Sequence, residues 1–302
     1  MMVHPMFTSH LSFEATLSPS ISRHSLNGLT IVKIQSPTCD AAISLHGGQL
    51  IQFKPAGHQD VIWLSNKAIF SAEKAIRGGV PVCWPWFGPV SSPSHGFARI
   101  SQWQLLDLTD NEQLVTIRLK LSASKQTQTL WPHDFSAVLT FTMGETLRIN
   151  LEMTNTGESS WQWSGALHTY FNIAEATETW ITGAGTTYID NRQNNLFCET
   201  SEALIINQPI DRVYTAPDET IDIHDQGNQR IIHVRNEGHN TAVIWNPWKE
   251  LSRSMGDMSD DGYETMVCVE ANQYAKDLAS GALLMPGENN ALSTEISVTS
   301  LA

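Results

Sequence analysis

The sequence predicts an all-β protein, a large antiparallel β-sandwich with few short helices. Three observations carry this expectation. Apolar residues recur with period two over several segments. Gly, Asn, Asp and Pro punctuate the chain at short intervals. Long amphipathic helices, and the alternating β-α units they would build, are missing. No linker, composition shift or internal repeat divides the 302 residues. One domain over 1–302 is expected, with residues 1–25 as a loosely ordered N-terminal extension.

The elements follow in order. Strands are expected at 29–35, 41–46 and 49–53. Residues 66–76 offer a helical turn or two. In the next alternating segment, Val115, Ile117, Leu119 and Leu121 interleave with Thr116, Arg118 and Lys120, which reads as a strand with one wet face. Residues 137–143 and 147–154 flank Gly144-Glu145 and read as a hairpin. Further strands are expected at 161–172, 231–236, 241–245 and 265–270, with a second short helical stretch at 272–279. The polar stretches 216–229 and 255–263 read as loops.

Composition narrows the function. A formal charge of −13 argues against a nucleic-acid partner, which would select a basic face. A few arginines in a cleft still suffice for an anionic small molecule. No apolar stretch approaches the ~20 residues of a bilayer span, and the N-terminus lacks the pattern of a signal peptide. The cysteines at 39, 83, 198 and 268 form no CxxC unit, so reduced thiols in a cytoplasmic protein are expected. The eleven histidines show no metal-ligand spacing. Walker, GxGxxG, GxSxG and HExxH motifs are absent. What remains is cofactor-free acid–base chemistry on a small polar substrate.

The stretch from Lys74 to Trp103 is the most informative. It holds too many prolines and glycines for a helix or central strand, and is too aromatic for a solvated loop. Trp84, Trp86 and Phe87 must cover something, either core or ligand. Arg77 and Arg99 flank these rings. Arginine forks match phosphate or carboxylate oxygens, though surface salt bridges account for such residues as well. Lys74 is expected in solvent. His168 sits among large residues beside Tyr170 and Phe171, either as a hydrogen-bonded core histidine or as a group exchanging protons near neutral pH. Glu270 shares the strand face of Met266 and Cys268. A buried carboxylate there is paired structurally or poised as a base.

Five blocks, taken together, resemble the glucose-6-phosphate 1-epimerases, hexose-6-phosphate mutarotases of the aldose 1-epimerase superfamily. They are Arg77-Gly-Gly-Val-Pro-Val-Cys-Trp-Pro-Trp-Phe-Gly, His95-Gly-Phe-Ala-Arg99, Leu-His168-Thr-Tyr-Phe, Asp211-Arg-Val-Tyr and Val-Cys-Val-Glu270. The resemblance spans roughly 40 to 290. It implies a sandwich of galactose mutarotase-like type, no metal or organic cofactor, and a sugar phosphate as the small-molecule partner. It places a catalytic histidine at His168 and a catalytic glutamate at Glu270. Phosphate- and sugar-binding arginines fall at Arg77 and Arg99, and a sugar-binding aspartate at Asp211. His95 is a further candidate near the sugar. Ser94 stands where the family often has Gln, so a shorter donor or a bridging water takes that contact. The implied reaction interconverts the α and β anomers of a hexose 6-phosphate. The alternatives are a mutarotase for unphosphorylated aldoses and a non-catalytic carbohydrate-binding sandwich. Without an apolar helical face, a monomer is expected.

Overall fold

The computed structural model describes residues 10–200 and 203–301. Every ladder among them is antiparallel. A five-stranded meander runs in chain order from Ser12–Ser18 to Gln49–Pro55. A nine-stranded sheet has Asn289–Ser300 near its middle, between Arg230–Glu237 and Leu147–Asn155. A third large sheet runs from Leu196–Glu199 through Thr187–Asp190, Ile210–Tyr214, Thr241–Asn246 and Met266–Gln273 to Gly165–Leu167 and Val82–Cys83. Tyr170–Asn172 joins that sheet by pairing with Met266–Gln273.

Period two does what the sequence promises. Val115, Ile117, Leu119, Ile149, Leu151 and Met153 are fully buried, while Thr116, Arg118, Lys120 and Arg148 lie half-buried between them. Removing each such apolar side chain from water stabilises the fold by about 1.5–3 kcal/mol. Val32, Phe53, Leu139, Leu167 and Val269 belong to one core cluster, so the three sheets close on a common interior. The hairpin joins Phe135–Met143 to Leu147–Asn155 through Gly144, Glu145 and Thr146, one residue more than the turn expected.

Several expectations need correction. Residues 1–9 of the proposed loose extension lie outside the described residues, but Ser12–Ser18 and Ile21–Leu26 are paired strands. Neither 66–76 nor 272–279 is α-helical. Leu64, Ala68, Phe70 and Ile76 each reach the cluster around Leu26 and Ile31 from irregular chain. Asn272 and Gln273 prolong a strand, and Leu278–Ser280 is a single 3-10 turn. The α-helices lie instead at Lys125–Leu130 and Trp248–Ser254. Ser124 caps the first, accepting from the Thr127 amide, and the Thr127 hydroxyl accepts from the Ser124 amide in return. Thr220–Asp225, inside a stretch read as loop, is a strand.

One buried ion pair bears on the site. Arg230 Nε donates to Asp225 at 2.9 Å, and its remaining nitrogens donate to the carbonyls of Gln59, Asp60 and Asn172. The guanidinium thus ties the end of Tyr170–Asn172 to the nine-stranded sheet. Its charge is tolerated because the hydrogen-bonding capacity is used.

Candidate active site

The predicted strand 161–172 divides into Trp161–Trp163, Gly165–Leu167 and Tyr170–Asn172. Its breaks serve the site. At His168 the chain leaves the ladder, and the His168 amide donates to Pro81 O instead. Leu167 pairs with Ala271 before the break and Tyr170 with Cys268 after it. The same register carries through, so His168 falls opposite Glu270. The two side chains meet as a cross-strand pair, with His168 Nδ1 3.3 Å from Glu270 Oε1.

The neighbouring rung completes the floor. Asp211 pairs with Trp245, Trp245 with Cys268, and Cys268 with Tyr170. These four side chains share the sheet face of Glu270, since residues two apart point the same way. Tyr170 lies flat between Trp63 and His168, and Trp245 meets both His168 and Tyr170 edge-on.

The Lys74–Trp103 stretch forms the rim. Trp84 and Trp86 are fully buried, Trp84 packing against Phe97, Trp131, Phe135 and Trp161, so these two rings are core under the loop. Phe87 is the half-buried one, with its ring 4.9 Å from His95 and 6.4 Å from His168. His95 adopts the left-handed region at φ 64°, costly for a side-chain-bearing residue. Its Nδ1 accepts from the Gly88 amide. The next residue, Gly96, also lies left-handed, at φ 72°, and a Cβ there would run into the Trp84 carbonyl. Only glycine allows that approach.

Arg77 is held from two sides. Nε donates to Asp257 Oδ1 at 3.2 Å and Nη1 to the Tyr170 hydroxyl at 3.1 Å. Arg99 Nη2 donates to the Ser94 carbonyl at 2.8 Å. Among the described residues no carboxylate pairs with Arg99, which leaves its charge uncompensated at the rim. Ser94 therefore contributes through its main chain, and its side chain is exposed. Lys74 is exposed, as expected. Asp211 accepts from Asn191 Nδ2 at 2.7 Å.

Burial governs the electrostatics. Glu270 is 1% exposed, and its carboxyl is pushed well above the usual range by desolvation and then by the Asp211 charge. His168 is held well below its ordinary value by burial, then by His95, Arg99 and Arg77. Burial and the two arginines lower His95 to about 4. The Asp211 carboxyl is raised by desolvation. The neutral forms of His168 and Glu270 together hold one transferable proton. A carboxylate beside an imidazolium holds the same number. The pair can thus redistribute a proton without exchanging one with solvent.

Every site residue proposed from sequence borders this region. Tyr170, Asp257, Cys268, Trp245 and Asn191 join the site only in the folded chain. Tyr170 and Cys268 lie in the same sequence blocks as His168 and Glu270 and share their period-two face. Asp257, in a polar loop 180 residues after Arg77, left no local signal.

The family model for aldose 1-epimerases matches residues 30–297. A relative in Escherichia coli (strain K12), named "Putative glucose-6-phosphate 1-epimerase", is 40% identical over 261 residues, covering 84% of this chain and 86% of the relative. A crystal structure of a "putative mutarotase" from Salmonella typhimurium is 35% identical, with TM-score 0.92 over 97% of this chain and 98% of that one. Galactose 1-epimerase from Lactobacillus acidophilus shares the fold at 13% identity, with TM-score 0.71 over 97% and 99% of the two chains. With a match that runs from the first sheet to the last strand, and close relatives covered over most of their length, this chain belongs to the aldose 1-epimerase family.

Proposed function

We propose that the chain interconverts the α and β anomers of hexose 6-phosphates, chiefly glucose 6-phosphate, with Glu270 as base and His168 as acid. The observation that carries this reading is the pair of buried Glu270 and partly buried His168, 3.3 Å apart and opposite in register, beneath a rim bearing Arg77 and Arg99. The names of the relatives favour a phosphorylated sugar.

The reaction begins with the pair's single proton on His168. Glu270 takes the proton of the anomeric hydroxyl, whose oxygen forms the aldehyde C=O. The C1–ring-oxygen bond breaks, its electrons go to the ring oxygen, and His168 protonates that oxygen. Rotation about C1–C2 presents the other carbonyl face, and the steps reverse. His168 recovers its proton from the hydroxyl, and Glu270 returns its own to the new anomeric oxygen. Each group contributes about 10²–10⁴-fold. Arg99 takes the phosphate, and Arg77, fixed by Asp257 and Tyr170, orients the sugar. Asp211 lies within reach of sugar hydroxyls, and Phe87 offers an apolar face beside His95. No metal or organic cofactor enters these steps. The chain acts as a monomer in the cytoplasm, a location in keeping with its four free cysteines.

Exchange spectroscopy on the anomeric carbons tests the reading. Exchange faster with glucose 6-phosphate than with glucose is expected. Equal acceleration of both would indicate a mutarotase for free aldoses. Binding without exchange would indicate a carbohydrate-binding sandwich.

A further inference from the structure

Cys268 has no task in the reaction above. It is fully buried, two residues before Glu270 on the same face of Met266–Gln273. A ring nitrogen of His168, the Cys268 sulfur and a carboxylate oxygen of Glu270 all lie within 4.8 Å of one another. Glu270 Oε2 and His168 Nδ1 are buried and make no hydrogen bond. Two sequence-distant segments, one carrying His168 and the other Cys268 and Glu270, thus present nitrogen, sulfur and oxygen donors to one small volume, with two of their polar atoms unpartnered.

That donor set is selective. Magnesium and calcium prefer oxygen cages, whereas imidazole and thiolate together suit zinc. Bond lengths of about 2.0–2.3 Å in a tetrahedral zinc site set the ligand atoms roughly 3.5 Å apart. The His168 Nδ1 to Glu270 Oε1 distance of 3.3 Å already meets this. A separation as wide as 4.8 Å has to close by roughly 1.3 Å. A divalent cation also matches the charge of one thiolate and one carboxylate, allowing both to ionise where water is scarce. Arg77 and Arg99 oppose a cation nearby, while Asp257 pairs with Arg77 and the Asp211 charge acts on Glu270 itself.

We propose that His168, Cys268 and Glu270 bind a single zinc-type ion, and that this ion switches the enzyme off. On binding, two protons leave to solvent, the Cys268 thiol proton and the single proton shared by His168 and Glu270, and a sulfur lone pair goes to the metal. The imidazole and carboxylate lone pairs that would handle the sugar's protons are then held in metal bonds. The metal-free chain is the active form. The off-switch rests on the acid–base reading above; the ligand set does not.

The test uses the full-length chain freed of metal, with cobalt(II) as spectroscopic probe and zinc as inhibitor. Cobalt(II) is expected to produce a thiolate-to-metal charge-transfer band saturating at one ion per chain and displaced by zinc. Zinc is expected to suppress anomer exchange until a chelator is added. Cys268→Ala should abolish the band and raise the zinc concentration for half-inhibition about tenfold or more, with metal-free turnover close to wild type. Cys268→Ser serves if the alanine variant unfolds. Cys198→Ser, at the half-buried cysteine, should change nothing. Absence of the band from wild type, or its survival in Cys268→Ala, would overturn the site. A Cys268-dependent band with zinc-insensitive turnover would overturn the switch and the acid–base reading together, leaving the ligand set standing.

Discussion

Tyr170 lies flat against His168, with ring centroids 4.8 Å apart and planes 8° from parallel, while its hydroxyl accepts a hydrogen bond from Arg77. One side chain thus braces both a proposed proton-transfer group and a sugar-orienting cation. Tyr170→Phe keeps the stack and removes the hydroxyl. Arg77 then loses a charge-assisted hydrogen bond of about 1.5–3 kcal/mol. A KM increase of up to about tenfold with little change in kcat is expected from steady-state kinetics, because Asp257 still holds Nε. A fall in kcat at constant KM would show that the hydroxyl acts on the chemistry instead.

His168→Ala and Glu270→Gln should each lower kcat by at least about 10²-fold. The double variant should be little worse than the poorer single one, since base and acid act as a unit. The melting temperature of Glu270→Gln should equal or exceed that of wild type, because the substitution removes a buried carboxylate with an unpartnered oxygen. Turnover near wild-type level by either single variant would remove that residue from the mechanism.

Arg99 and Arg77 separate two parts of substrate recognition. Arg99→Ala should raise KM for glucose 6-phosphate by about ten- to a hundredfold, the loss of one charged contact. Turnover of unphosphorylated glucose should stay as it was. Equal losses with both sugars would detach Arg99 from the phosphate.

The histidines set the acid side of stability. His95 is depressed to about 4 from the ordinary 6.5. As pH falls through 6.5 the unfolded chain binds a proton there that the folded chain refuses until about 4. Stability is therefore lost across that window and levels below it. His168 works in the same direction. Glu270 works in the opposite one: its folded carboxyl stays protonated above 4.5, so stability declines as pH rises beyond that value. Urea melts from pH 4 to 7 should show a shallower acid-side loss for His95→Asn than for wild type. Parallel curves would mean that burial and the nearby arginines do not set this proton's affinity.

Alternation makes some strands legible in sequence and not others: Thr220–Asp225 alternates in burial yet lies in a polar stretch that reads as a loop, whereas 49–53 and 265–270 read as strands although nearly every residue there is buried. Val115–Ser122 and the hairpin after Phe135 are visible because one face is apolar and the other wet. Asn289–Ser300, a near-central strand, is rich in Ser, Thr and Asn and carries no such rhythm; long-range pairing makes it a strand. The helix at Lys125–Leu130 did have a local signal, a serine cap and a proline after Trp131, but it spans under two turns. At the site, His168 and Glu270 were nameable from their blocks, whereas their meeting depends on a register that only the assembled sheet supplies. Cys268 and Asp257 become relevant only through distance.

The proposed base does not stand on equal footing with the cations. Glu270 belongs to a strand laddered on both sides, while Arg77 and His95 sit in irregular chain and Arg99 in a single 3-10 turn. Local opening is easiest where backbone bonds are sparse. The rim can therefore breathe to admit and release a sugar while the strand beneath it keeps its register. Amide exchange should separate the two into distinct kinetic classes, with sugar traffic on the faster and the proposed base anchored on the slower.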